Sequence, residues 1–142
     1  MLEAAKKRNN AVVIGGGLLG LEAAAGLQMQ GMDVTVIHLM PTLMERQLDA
    51  SAGYLLEKEL SSRGIRIITK ANTQEIYGDG KVEGVRLEDG TTIPCDLVIM
   101  AVGIRSNKQL AEQAGIDCGR GILVNEFMQT SDPDIFLSLI HI

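Results

Sequence analysis

Ala11-Val12-Val13-Ile14-Gly15-Gly16-Gly17-Leu18-Leu19-Gly20 is the stretch that decides how the chain is read. Four small or β-branched apolar residues make a buried strand, and Leu21-Glu22-Ala23-Ala24-Ala25 behind the glycines is a run of strong helix formers. Gly15-x-Gly17-x-x-Gly20 therefore lies between a strand and a helix, the context in which these glycines make a dinucleotide fingerprint. On that reading Gly15 lets the chain turn sharply, Gly17 leaves the backbone open to a pyrophosphate, and Gly20 lets the helix lie close to the strand. The first helical N–H groups and the positive end of the helix dipole would face the diphosphate. Without such a context the same glycines would read as a plain tight turn. Here a second strand, expected over residues 34–37, supports the binding reading.

At 142 residues the chain has room for one compact domain and a fragment of another. Its 46% of apolar residues is enough for a core, which argues against disorder. A net charge of −5 argues against nucleic acid and against an anionic membrane surface as partners. Cys95 and Cys118 are too far apart for a C-x-x-C pair and read as two reduced thiols. Residues 1–10 are a polar lead-in, and the apolar run after them is broken by glycines and by Glu22, so neither a signal peptide nor a membrane span fits. The expected compartment is the cytoplasm.

Working outward, a helix is predicted over residues 18–30 with Gly31 as its stop, then a Val-rich strand over 33–37 buried on both faces. Pro41 delays the next helix, predicted over 49–63, with Leu55, Leu56 and Leu60 as its apolar stripe and Glu57, Lys58 and Glu59 on the wet side. Gly64 ends it, and a third strand follows over 65–68. The pattern then changes to short strands over 73–77, 82–87 and 91–93, parted by the turn signals Gly78-Asp79-Gly80 and Asp89-Gly90. The expected fold is thus α/β: a Rossmann-like βαβαβ parallel sheet with an antiparallel three-stranded meander in place of a crossover helix. The run at 96–103 should return to the parallel sheet. Beyond it come a helix over 109–114, a short strand over 121–124, a turn over 130–134 and an apolar end. Met29, Met40, Met44 and Met100 read as core or rim filler.

This arrangement, closing on Val98-Ile99-Met100-Ala101-Val102-Gly103 with Asn107 close behind, resembles the NAD(P)H-binding domain of the pyridine-nucleotide disulfide oxidoreductase superfamily of flavoproteins. Within it, Val36-Ile37-His38-Leu39-Met40-Pro41-Thr42-Leu43-Met44-Glu45-Arg46-Gln47-Leu48-Asp49 is similar to the large subunit of the assimilatory NAD(P)H nitrite reductases. The resemblance runs over residues 10–136 and implies a hydride passed from NAD(P)H to FAD, with an iron–sulfur cluster and sirohaem in the parent protein. Ferredoxin or rubredoxin reductases and NADH oxidases are rivals within the class, and a non-catalytic nucleotide-binding module is the rival outside it. In that superfamily the domain is inserted into an FAD-binding domain. Residues 11–104 would then be the NAD(P)H domain and 105–136 an incomplete, returning segment of the FAD domain. Where Ala-x-Gly-acid is expected the chain reads Leu137-Ser138-Leu139-Ile140-His141-Ile142, so 137–142 are expected to be an unrelated tail on a fragment. Lacking the missing FAD-binding domain, residues 105–142 should carry an exposed apolar patch and favour self-association.

For the site, the resemblance implies that the backbone of Gly15, Gly16, Gly17, Leu18, Leu19 and Gly20 holds the pyrophosphate of the nicotinamide dinucleotide. It also implies that Glu22 approaches the nicotinamide carboxamide; the plainer reading is an acid capping the first helical turn, worth about 0.3–1 kcal/mol. At the end of the second strand a carboxylate normally accepts the ribose hydroxyls and repels a 2′-phosphate, but this chain has His38. A neutral imidazole accepts one hydrogen bond, whereas a protonated one, or Arg46, would welcome a phosphate, so NADH and NADPH both stay open. Arg46 read plainly pairs with Glu45 or Asp49. Ala101, Val102 and Gly103 would close the other rim of the cleft. No acid, base or nucleophile with a partner is evident, nor a metal site. That suits hydride transfer, in which the cofactors carry the chemistry. Alone, the chain should bind reduced nucleotide and reduce nothing.

Overall fold

The structure, a computed structural model, describes residues 9–138; residues 1–8 of the lead-in and 139–142 of the expected tail lie outside them. The chain divides into two compact units that part between Gly103 and Ile104. In the first, β1 (Asn10–Ile14) leads through the glycines into α1 (Leu18–Met29) and then β2 (Asp33–Ile37). After a loop come α2 (Ala50–Ser62) and β3 (Arg66–Ile68). Three short strands, β4 (Thr73–Tyr77), β5 (Gly84–Leu87) and β6 (Thr92–Pro94), precede β7 (Leu97–Met100). Strands β3-β2-β1-β7 form one sheet and β4-β5-β6 a second. The first is parallel throughout, with Ile14 opposite both Ile37 and Met100. The second is antiparallel. The expected parallel sheet and meander are both present.

Alternation along β1 shows why the sheet is sandwiched. Ala11 and Val13 pack with Leu21, Ala24 and Leu27 of α1 and Leu60 of α2. Val12 and Ile14 pack with Val85, Leu87 and Ile93 of the meander. Successive strand side chains point to opposite faces, so a strand apolar at every position needs a cover on each side. Helices supply one cover and the second sheet the other. The α1 side buries Gly20, Leu21, Ala24 and Leu27, one helical stripe.

Element ends follow local chemistry. Asp49 accepts from Ala52 N–H at 2.8 Å and caps α2. Gly31 and Gly64, at φ +85° and +90°, take the left-handed turn that closes each helix. The α2 stripe differs from the expected one. Leu60 is buried and Leu56 packs on the core, but Leu55 is 64% exposed. The third contact is Gly53, where a Cβ would lie 3.1 Å from the carbonyl oxygen of Leu43. Three leucines at helical spacing do not say which pair faces inward; close approach at Gly53 does. Lys58 lies on the wet side as expected, over the exposed Tyr54 ring, 4.9 Å from its centroid. The methionines also differ: Met44 packs against the core, while Met29, Met40 and Met100 are exposed. Among the described residues the buried methionine is Met32, just before β2.

The second unit has α3 (Gln109–Gln113) and no strand over 121–124. Ile122 forms only an isolated antiparallel bridge with Cys118, and Gln129 another with Phe136. Strand propensity without a partner strand does not make a sheet. Among its described residues only Ala111, Ile116 and Thr130 are buried, whereas Ile104, Leu110, Phe127 and Phe136 are each at least 60% exposed. So small a buried set cannot offset the ordering of some thirty residues, about 1–2 kcal/mol each for backbone alone. A chain ending at Gly103 should therefore elute as a sharper monomer peak in size-exclusion chromatography than the 142-residue chain. Equal monodispersity would contradict this.

Candidate functional site

The carboxyl ends of β1 and β7 meet where the strand order reverses, the place where open α/β sheets leave a crevice. Gly15 leaves β1 at φ +117° and donates to the Ile37 carbonyl at 2.8 Å. A Cβ there would run into the carbonyl group of Ala101, its carbon 2.8 Å away. At Gly20 a Cβ would collide with the carbonyl of Gly15, carbon at 3.0 Å, and touch the Ala101 Cβ at 3.4 Å. At Gly16 it would meet the Leu43 Cδ2 at 2.6 Å and the His38 ring at 2.8 Å. Three glycines are thus required by protein atoms. Gly17 is not: a Cβ there would have nothing within 4 Å, and its φ of −84° suits any residue.

Gly17 is also the N-cap of α1, and no side chain caps that end. Leu18 and Leu19 in its first turn are exposed, and the first N–H returned to the loop is that of Leu21, to Gly17 O at 3.0 Å. Asp49 serves the matching groups of α2. The N-terminus of α1 thus presents open donors and a positive dipole end, which fits a diphosphate. Glu22 is exposed and falls past the first turn, which holds no acid. The capping alternative for Glu22 is therefore corrected.

His38 follows β2 directly and is 8% exposed. Its Nδ1 accepts the Gly16 N–H at 3.0 Å. A backbone N–H only donates, so Nδ1 carries the lone pair and Nε2 the proton. That proton points at Glu45 Oε2, 3.0 Å away. Both ring nitrogens are engaged inside the protein, and the accepting position considered for a ribose is taken by Gly16. Arg46 is exposed and makes no ion pair among the described residues, because Glu45 is held by His38 and Asp49 by the α2 cap; the expected surface pairing is corrected. Spacing gave no signal for Glu45. Burial tends to raise its pKa, but the hydrogen bonds from its own backbone N–H and from His38, with the nearby Arg46 charge, hold it below 4.5. On the opposite rim Ala101 donates to the Ile14 carbonyl at 2.8 Å, Val102 is 65% exposed, and Gly103 has φ +97°. Cys95 is buried, and burial first, then Asp96, pushes its thiol up.

A parallel sheet whose first strand turns through glycines into an uncapped helix defines the class, a dinucleotide-binding α/β domain. A family model described as pyridine nucleotide-disulphide oxidoreductase matches residues 1–138, and the chain belongs to that family. It is 58% identical over 136 residues to the nitrite reductase [NAD(P)H] of Bacillus subtilis (strain 168), covering 96% of this chain and 17% of that protein. It is 42% identical to the nitrite reductase (NADH) large subunit of Escherichia coli (strain K12), over 93% of this chain and 16% of that one. Among solved structures, a ferredoxin reductase from Rhodopseudomonas palustris matches with a TM-score of 0.91 and 37% identity, over 94% of this chain and 33% of that one. The chain spans about a sixth of the length of the nitrite reductases it matches. No helix among the described residues is long and apolar enough to cross a membrane.

Gly20→Ala should lower stability by about 1–3 kcal/mol in urea unfolding, because the clash outweighs the roughly 1 kcal/mol that alanine gains in helix propensity. Glu45 has a lowered folded-state pKa, so its contribution is present above 4.5 and lost as pH falls through the folded value. Glu45→Gln should therefore flatten the acid limb of melting temperature against pH. An acid limb unchanged from the parent would disprove the assignment.

Proposed function

We propose that this chain is the NAD(P)H-binding part of a flavoprotein oxidoreductase, presenting NAD(P)H for hydride transfer to FAD in a protein that reduces nitrite to ammonium. Gly17 carries the reading. Glycine has no steric reason to stand there in the protein alone, whereas a pyrophosphate lying on that backbone needs the space a side chain would fill. The N–H groups of Gly17, Leu18, Leu19 and Gly20 would hold the phosphate oxygens, helped by the dipole of α1. Glu22, one turn further along, would reach the nicotinamide carboxamide. Ala101, Val102 and Gly103 would form the facing rim, and His38 and Arg46 the adenosine end. Residues 11–104 would be the nucleotide domain, and residues 105–136 the segment returning to an FAD-binding domain. The flavin, and in the whole protein an iron–sulfur cluster and sirohaem, would supply the redox chemistry. This chain's residues bind and orient the reductant. The high identity to named nitrite reductases supports that reaction. The ferredoxin reductase structure favours a second reading, with a ferredoxin as the acceptor.

Calorimetric titration of the whole chain tests this. NADH or NADPH should saturate it while FAD gives no heat of binding. Gly17→Val should weaken the dinucleotide at least about tenfold, a loss of roughly 1.4 kcal/mol, with the melting temperature unmoved. Unchanged affinity in that variant would sink the proposal.

A further inference from the structure

We infer that Glu45, and not the residue that closes β2, reads the adenosine ribose of the bound dinucleotide, and that its carboxylate makes the site select NADH over NADPH. This deepens the nucleotide-binding reading above and rests on it. In open α/β sheets that bind dinucleotides, the ribose lies off the end of the second strand, where a carboxylate accepts its hydroxyl protons. Here that end is His38, and its ring has no acceptor left: Nδ1 receives the Gly16 N–H and Nε2 is itself a donor. Donating to Glu45, the ring fixes a carboxylate beside the glycine turn from seven residues further along the chain.

Glu45 keeps the capacity that the imidazole lacks. Its side chain is 29% exposed, against 9% for that of His38, and Oε2 is the oxygen that meets the ring. A carboxylate has about four lone-pair sites, so accepting from the ring and from its own backbone N–H still leaves room for a hydroxyl. Hydrogen bonds from its own backbone N–H and from His38 lower its pKa from the ordinary carboxylate value, so Glu45 carries its charge near neutral pH. A fixed negative charge there attracts a hydroxyl donor and repels a 2′-phosphate. Arg46 is the competing group. It is exposed and held by no partner among the described residues, whereas Glu45 is held in place by the buried ring.

The experiment compares NADH, NADPH and the 2′-deoxyadenosine analogue of NADH for binding to the 142-residue chain. The parent chain should bind NADH about tenfold more tightly than either alternative, the size of one hydrogen bond to a charged group. Glu45→Gln should bring NADPH to within about threefold of NADH, and Glu45→Ala should abolish the preference for the 2′-hydroxyl over 2′-deoxy. Arg46→Ala, which leaves the His38–Glu45 pair intact, should weaken NADH and NADPH alike. If Glu45 merely props the ring, its variants will weaken all three ligands by one common factor and leave the ratios where they were; that result overturns the inference. So does a parent chain that prefers NADPH, or a selective loss of NADPH in Arg46→Ala. Should a Glu45 variant fail to fold, the ratios of the parent chain and Arg46→Ala still decide. A parent chain that binds no dinucleotide overturns the nucleotide-binding reading as well, whereas NADH binding with unmoved ratios overturns this inference alone.

Discussion

The peptide of Gly16 is the fixed point of the molecule. Its N–H is tied to the His38 imidazole at 3.0 Å, and its carbonyl accepts the Met44 N–H at 3.0 Å. Gly15 N–H is tied to the Ile37 carbonyl. Three glycines in a row are entropically the loosest sequence a turn can have. Pinned on both sides by β2 and the segment after it, the turn becomes a rigid mouth. Deleting the His38 acceptor would leave a buried N–H unpaired, a cost of about 1–3 kcal/mol. The loosest backbone in the chain is held by the strand next door.

That pinning also explains the loop between β2 and α2. Leu43 is fully buried against the turn, and Met44, at φ +51°, swings its N–H onto Gly16. Close passage of Gly53 against Leu43 then sets the angle at which α2 lies on the sheet. Glu45 is carried to His38 by the same bend. The carboxylate that His38 holds is thus placed by a loop. Its uncapped counterpart, the start of α1, is placed by a strand.

On its other face the sheet is closed by the meander, whose Val85, Leu87 and Ile93 cover Val12 and Ile14. Arg86 bridges to Glu75 across the β4–β5 pair and lies 5.4 Å from the Tyr77 centroid, so the outer face of the hairpin is tied by charge and ring contact rather than by burial. With both faces occupied, the glycine turn stands at the strand ends, beside the last residues of β1 and β7.

Much of this was legible locally. Apolar runs such as Val34 to Ile37 announce strands buried on both faces, and Asp49, Gly31 and Gly64 mark helix ends, because each signal is satisfied within a few residues. The fingerprint glycines were legible by spacing, and so were the separate reasons for Gly15, Gly17 and Gly20; what spacing did not show is that Gly16 answers to Leu43 and His38. The unformed strand at Ile122 and the outward Leu55 were misread because propensity and period do not name a partner. By itself, the sequence determined a strand, a glycine turn and a helix, a parallel sheet and a meander, all announced by residue patterns that are local along the chain. Tertiary structure alone decided what His38 does. Its two partners stand 22 residues before it and seven after it, and only packing brings them to one ring.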